Sequence, residues 1–272
     1  MKTINYECFK GKTVIVTGGS QGVGKGISKA FLENGANVVN ADVNDGVGFD
    51  LKNIAWGDLC FKKTDLTIQS DIKELVKFVI DRFGAIDILV NNARPKFINN
   101  EDGSYNKFLS GWEQGMDVLL KAPVQLAGYA LPYLKKSNSG CIVSIGSTNA
   151  NYVSSQPLVY HVAKSGLVQM TRYLAHKLGK NGIRVNCVSP GLINFQDENR
   201  SLFKSNLNKK IIKSLVPLGR GCSVTEIADT VLYLCSNSST YINGQVLVLD
   251  GGMVAGDHFE VIKNALEERV WE

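Results

Sequence analysis

"KTVIVTGGSQGVGKGISKAFLENG", residues 12–35, decides the fold. Its first part is a run of β-branched residues and reads as a buried strand over 12–18. Its last part carries apolar residues at helical spacing over 24–35 and stops at Gly35. Between them lie Gly18, Gly22 and Gly24, with Ser20, Gln21 and Val23 filling the loop. Glycines there let the backbone turn tightly and approach a pyrophosphate. The helix N-terminus behind them supplies N–H groups and a partial positive charge. A glycine triplet alone is a weak signal, but here it sits in the strand–loop–helix context that the chemistry requires.

The next segment, "ANVVNAD" (36–42), reads as a second strand that ends on Asp42. A carboxylate at that edge accepts both ribose hydroxyls of an adenosine and repels a 2′-phosphate. No basic residue stands in the loop at Ser20 or Gln21, or after the acid at Val43. The expected cofactor is therefore NAD rather than NADP.

Outward from this unit the same alternation continues. Strands are expected at 59–65, 86–93, 140–147, 183–191 and 244–252, and helices at 69–84, 112–134, 158–180 and 224–236. The strands are nearly continuous apolar runs, so both sheet faces should be covered. Strand–helix alternation along the whole chain predicts one doubly wound α/β domain with a seven-stranded parallel sheet. Residues 192–215 are the one long polar interruption, expected as a mobile substrate loop or helical pair. Residues 253–272 are expected to form an amphipathic tail.

Bulk composition agrees. The chain has 272 residues, 44% hydrophobic and 20% charged, which suits a folded protein with a sizeable core. No apolar run reaches the roughly 18 residues of a membrane span, and the N-terminus reads as no signal peptide. The net charge of +5 is mild, and the lysine clusters lack interleaved aromatics, so no nucleic-acid partner is expected. Six cysteines form no CxxC pair and have no histidine nearby, so no metal is expected. Buried free thiols suit a reducing cytoplasm.

The segment "VYHVAK" (159–164) carries Tyr160 and Lys164 at i and i+4 on one helix face. Ser147 ends the fifth strand, at the carboxyl edge where such sheets bind ligands. A tyrosine is a poor acid near neutrality, with an ordinary pKa of about 10. An ammonium one helical turn away favours the phenolate. Together with "TGGSQGVG", "TDLT", "NNAR", "SIGS", "SPG" and "VLDGG", in order from about residue 10 to 252, these residues resemble the short-chain dehydrogenase/reductase family. The resemblance implies a Rossmann-type fold and a homo-oligomer, tetramer or dimer. It implies Tyr160 as general acid/base and Lys164 as the residue that tunes the tyrosine and meets the nicotinamide ribose. Ser147 would hold the reacting oxygen. Asp65 and Leu66 match positions that meet the adenine, Asn91 one beside the cofactor ribose, and Ile193 a backbone contact to the nicotinamide amide.

Three departures from the family pattern stand out. Leu119, in "VLL" (118–120), replaces an asparagine that helps hold a proton-relaying water. Either another water path serves, or the protein binds NAD and turns over little. Arg94, followed by Lys96, replaces the glycine of "NNAG". It either meets an anionic group on the substrate or turns to solvent. Asn194 and Phe195 follow "SPGLI", where a threonine often touches the cofactor, so Phe195 is expected over the nicotinamide or in the substrate pocket wall. His161 and His176 read as ordinary helix residues.

The expected activity is an NAD-dependent interconversion of a secondary alcohol and its ketone. The small-molecule substrate is expected to be polar, a polyol, sugar derivative or hydroxy acid. The rivals are an NADPH-dependent ketone reductase of the 3-oxoacyl type and a non-catalytic NAD-binding protein.

Overall fold

The computed structural model describes residues 7–44, 57–96, 109–195 and 205–257, together with 259, 261 and 263. The chain runs β1 (Thr13–Thr17), α1 (Gly22–Glu33), β2 (Asn37–Asp42), β3 (Leu59–Lys63), α2 (Gln69–Phe83) and β4 (Ile88–Asn91). It continues through α3 (Trp112–Met116), α4 (Ala122–Leu134), β5 (Cys141–Ile145), α5 (Leu158–Leu178), β6 (Arg184–Pro190) and β7 (Ile193–Asn194). It then forms α6 (Asn206–Leu215), β8 (Cys222–Ser223), α7 (Val224–Cys235) and β9 (Val246–Leu249).

Seven strands form one sheet in the order β3-β2-β1-β4-β5-β6-β9, every pair parallel. The expected doubly wound sheet is therefore present. Strand order reverses between β1 and β4, and the carboxyl ends of those strands open the crevice where such sheets bind ligands. Strand periodicity explains the two covered faces. Val14 and Val16 point to one side and join Ile27 and Phe31 of α1 with Ile227 and Val231 of α7. Ile15 points to the other and joins Leu75 and Val79 of α2 with Leu126 and Ala130 of α4. Phe9 and Phe31 close the first core edge-to-face, with ring centroids 5.1 Å apart.

The single helix expected over 112–134 is interrupted. Asp117–Lys121 forms a π turn between α3 and α4. Proline supplies the physical reason. Pro123 has no N–H, so the Leu119 carbonyl loses its i+4 donor, and the wider turn absorbs the mismatch.

The stretch expected as a polar loop over 192–215 is structured at both ends. Ile193–Asn194 pairs in parallel with Cys222–Ser223, and Asn206–Leu215 is helical. Ile212 of α6 packs with Val216 and Met253, against Tyr152 and Leu192. Residues 196–204 and most of the expected tail helix lie outside the described residues.

Candidate active site

The glycine loop closes on the end of β4. Gly18 has φ +64°, and a Cβ there would stand 2.8 Å from the Ala93 Cα. A Cβ at Gly24 would stand 2.1 Å from the Gly18 carbonyl oxygen. No side chain could be added at either position without moving backbone. The residues that lock the loop escaped the sequence reading. Asn92 donates its side-chain amide to the Thr17 and Gly18 carbonyls at 2.9 and 3.0 Å. Thr17 Oγ1 accepts from the Asn92 and Ala93 N–H groups at 3.0 and 3.2 Å. Asn40 donates to the Gly19 carbonyl at 3.0 Å, and Ser28 donates to Asn40 Oδ1 at 2.6 Å. Thr17 and Asn92 stood in the quoted motifs without a role, and Asn40 showed only as a polar residue inside the apolar run of β2.

Gln21 precedes α1 in an extended conformation, with no side-chain cap bond to the first turn. That leaves the helix N-terminus to a ligand. Asp42 is buried at the end of β2. Its Oδ2 accepts from the Ser20 N–H and its Oδ1 from the Asn44 N–H, both at 3.2 Å. Each carboxylate oxygen keeps acceptor capacity for a hydroxyl. Asp65 is committed to its own turn, accepting from Thr67 N and Oγ1 at 2.9 and 2.7 Å. Leu66 is buried beside it. Asn91 is buried and donates to Ser144 Oγ at 3.3 Å.

Tyr160 and Lys164 lie one turn apart on the buried face of α5, only 8% and 4% exposed. Lys164 Nζ donates to the Ile145 carbonyl at 2.5 Å and stands 5.6 Å from the centroid of the Tyr160 ring. Burial pushes the Lys164 ammonium below its ordinary pKa. Tyr160 and Cys187 oppose that shift, and Arg94 adds to it. Cys187, behind the lysine, is pushed up to about 11, chiefly by burial. Ser147 is buried just past β5, and its Oγ accepts from the Asn149 N–H at 3.2 Å. Its hydroxyl proton remains to be donated.

Leu119 is buried against Tyr160 and Ala163. It also lines a cavity of about 10 Å³ with Thr17, Asn91, Ala93 and Lys164. That is space for roughly one water. Arg94 is exposed, and its guanidinium carbon lies 5.6 Å from the Tyr160 ring centroid. Ile193 is half-buried against the first core, and Phe195 is half-buried next to the segment 196–204. His161 is more than an ordinary helix residue. Its Nε2 accepts from the Ser154 N–H and its Nδ1 faces the Pro157 carbonyl, both at 3.0 Å, which fixes the turn entering α5. Among the described residues no group of His, Cys, Asp or Glu is placed to hold a metal, and no helix is long and apolar enough to cross a membrane.

Residues 18–254 match the family model described as enoyl-(acyl carrier protein) reductase. The chain belongs to the short-chain dehydrogenase/reductase family. A 3-oxoacyl-[acyl-carrier-protein] reductase of Chlamydia pneumoniae is 34% identical over 247 residues, covering 89% of this chain and 97% of that protein. L-fucose dehydrogenase of Mus musculus is 34% identical over 266 residues, covering 96% and 94%. A solved mutant of a Serratia marcescens short-chain dehydrogenase/reductase superposes with a TM-score of 0.78 at 29% identity, covering 90% of this chain and 98% of that one. As a short-chain dehydrogenase/reductase, the protein is an oxidoreductase of CH–OH groups that works with a nicotinamide cofactor.

Proposed function

We propose that the protein is an NAD-dependent dehydrogenase/reductase that interconverts a polar secondary alcohol and its ketone, with Ser147, Tyr160 and Lys164 as its catalytic residues. One observation carries the reading. Lys164 is almost fully buried, seated on the Ile145 carbonyl and 5.6 Å from the Tyr160 ring. A buried ammonium is costly, and a phenolate beside it offsets that cost.

The loop and the end of β2 fit a dinucleotide. Gly18, Ser20, Gln21, Gly22, Val23 and Gly24 would follow the pyrophosphate around the α1 N-terminus. Asp42 would accept the adenosine ribose hydroxyls and repel a 2′-phosphate, which favours NAD. Asp65, Leu66, Asn91 and Ile193 would complete the cradle. When bound, the nicotinamide exchanges a hydride with the substrate carbon. Tyr160 takes the alcohol proton in oxidation and returns it in reduction. Ser147 donates its free hydroxyl proton to the same oxygen. Lys164, seated on the Ile145 carbonyl, holds its charge beside the Tyr160 ring. Leu119 lines the same small cavity as Lys164, which has space for roughly one water, and a water path there would stand in for the missing asparagine.

Absorbance of NADH during turnover tests this. Polyols, sugars and hydroxy acids are offered with NAD⁺, and Tyr160→Phe is run beside the wild type. Turnover that disappears in the variant supports the reading. Turnover that persists in Tyr160→Phe removes it. A second reading, an NADPH-linked 3-oxoacyl reductase, draws support from the name of the chlamydial relative. Binding of NADPH as tight as NADH would favour it.

The six cysteines are all free thiols, which supports a reducing, cytoplasmic setting. A homo-oligomer, dimer or tetramer, is also proposed. Val124 on α4 and Val162 on α5 are 47% and 39% exposed, and light scattering reads the mass directly.

A further inference from the structure

Arg94 stands where the chain leaves β4, at the crevice between the glycine loop and Tyr160. Its base is fixed. Ala93, just before it, donates its N–H to Thr17 Oγ1, and Asn92 is tied to Thr17 and Gly18. Pro95, just after it, is buried and confines the Arg94 backbone to extended conformations. The arm is therefore aimed from a rigid mount. Its guanidinium carbon reaches 5.6 Å from the Tyr160 ring centroid, the same distance as Lys164 Nζ.

Two cations thus flank one phenol. Among the described residues no carboxylate pairs with Arg94, whose one recorded ring contact is Tyr160. Burial chiefly loosens the hold of Lys164 on its proton, and repulsion by the Arg94 charge adds to it. Lys96, exposed two residues on, adds to the positive field. A single anion bound next to Tyr160 would relieve that repulsion. A guanidinium offers a planar fork that matches a carboxylate with two parallel hydrogen bonds.

We propose that Arg94 is a specificity residue that pairs with a carboxylate on the substrate, so that the preferred substrates are hydroxy acids and their oxo acids with the carboxyl carbon one or two bonds from the reacting carbon. The guanidinium carbon lies 5.6 Å from the Tyr160 ring centroid, so a carboxylate held by Arg94 stays near an oxygen that meets the Tyr160 hydroxyl. The inference rests on the reading of Tyr160 as the acid/base, and it narrows the polar substrates to anionic ones.

The test uses the full chain with NAD⁺ and matched pairs, 2- and 3-hydroxybutyrate against their methyl esters. The wild type should prefer acid to ester in kcat/KM. Arg94→Ala should cut kcat/KM for the acid roughly 10- to 100-fold, mainly through KM, and change the ester far less. Arg94→Lys should restore part of the loss. The NADH dissociation constant, read by its fluorescence, should stay within about twofold in all three proteins.

Equal use of acid and ester by the wild type overturns the proposal. So does an equal loss on both in Arg94→Ala. A weakened NADH constant instead would make Arg94 a contact to the cofactor phosphates. Where no pair turns over, the same oxo acids are titrated into the NADH complex. Binding that Arg94→Ala abolishes supports the proposal, and binding that it leaves alone overturns it. Tyr160→Phe separates the two levels. Turnover of neutral polyols that this variant abolishes, with no preference for acids, removes the role of Arg94 and leaves the dehydrogenase reading standing.

Discussion

Asn92 donates its side-chain amide to the carbonyl of Gly18 at 3.0 Å, joining two motifs 74 residues apart. The same amide reaches the Thr17 carbonyl at 2.9 Å. The glycine loop is thus held from below by the segment that follows β4. Asn92→Ala is expected to leave both carbonyls short of a donor and to loosen the loop. The cost should be about 1–3 kcal/mol in stability, with NADH binding weakened roughly tenfold. Chemical denaturation and NADH fluorescence titration check this. Unchanged NADH affinity would mean that the loop needs no such clamp.

Gly24→Ala should be more severe for binding than for folding. Its Cβ would stand 2.1 Å from the Gly18 carbonyl oxygen, at the turn proposed to face the pyrophosphate. The expected result is loss of detectable NADH binding in a protein whose far-UV circular dichroism is retained.

Asp42 is the residue proposed to set the choice between the two nicotinamide cofactors. Asp42→Ala removes the acceptor of the Ser20 and Asn44 N–H groups and the charge proposed to repel a 2′-phosphate. NADH affinity should fall about tenfold or more, while NADPH affinity rises or holds, so that the preference narrows or reverses. The ratio of the two dissociation constants is the measurement.

The π turn before α4 is expected to serve the site. Pro123→Ala supplies the N–H that the Leu119 carbonyl lacks and lets an ordinary α-helix form. Stability should hold or rise by up to about 1 kcal/mol, while kcat falls as the cavity beside Lys164 narrows. A rise in stability with unchanged kcat would show that the turn has no catalytic part. Leu119→Asn tests the other side. It puts a polar group among Tyr160, Ala163 and Met116, and should cost about 1–3 kcal/mol.

The start of α7 carries a pH-dependent cap. Ser223 and Glu226 form a capping box, and Arg220 grips Glu226 with two bonds at 2.7 and 2.9 Å. The Arg220 bond, helped by the Ser223 bonds, holds the Glu226 carboxyl down to about 2, against an ordinary 4.5. The unfolded chain therefore binds more protons than the folded one between those values. The stabilisation is complete above the ordinary value and is lost as pH falls toward 2. Thermal unfolding should show Glu226→Gln less stable than wild type at pH 7, with the gap closing in acid. Ser223→Ala should cost about 1 kcal/mol.

Much of the fold was legible in the sequence because its signals are local. Alternating β-rich and helical runs predict seven strands between helices, since burial on both faces requires apolar strands and a period of 3.6 requires helical stripes. The glycine spacing with Asp42, and Tyr160 with Lys164, were legible as candidates for the cofactor cradle and the reacting edge, because each is a short local motif. The tertiary structure alone decided what depends on residues far apart. It set the order β3-β2-β1-β4-β5-β6-β9, placed Asn92 under Gly18, and seated Lys164 on the Ile145 carbonyl. It also broke the helix expected over 112–134 with a π turn. Above all, it brought the Arg94 guanidinium to 5.6 Å from the Tyr160 ring centroid, where the sequence held only a missing glycine. A charge acts through space, and its partner is chosen by how the chain packs rather than by its neighbours in sequence.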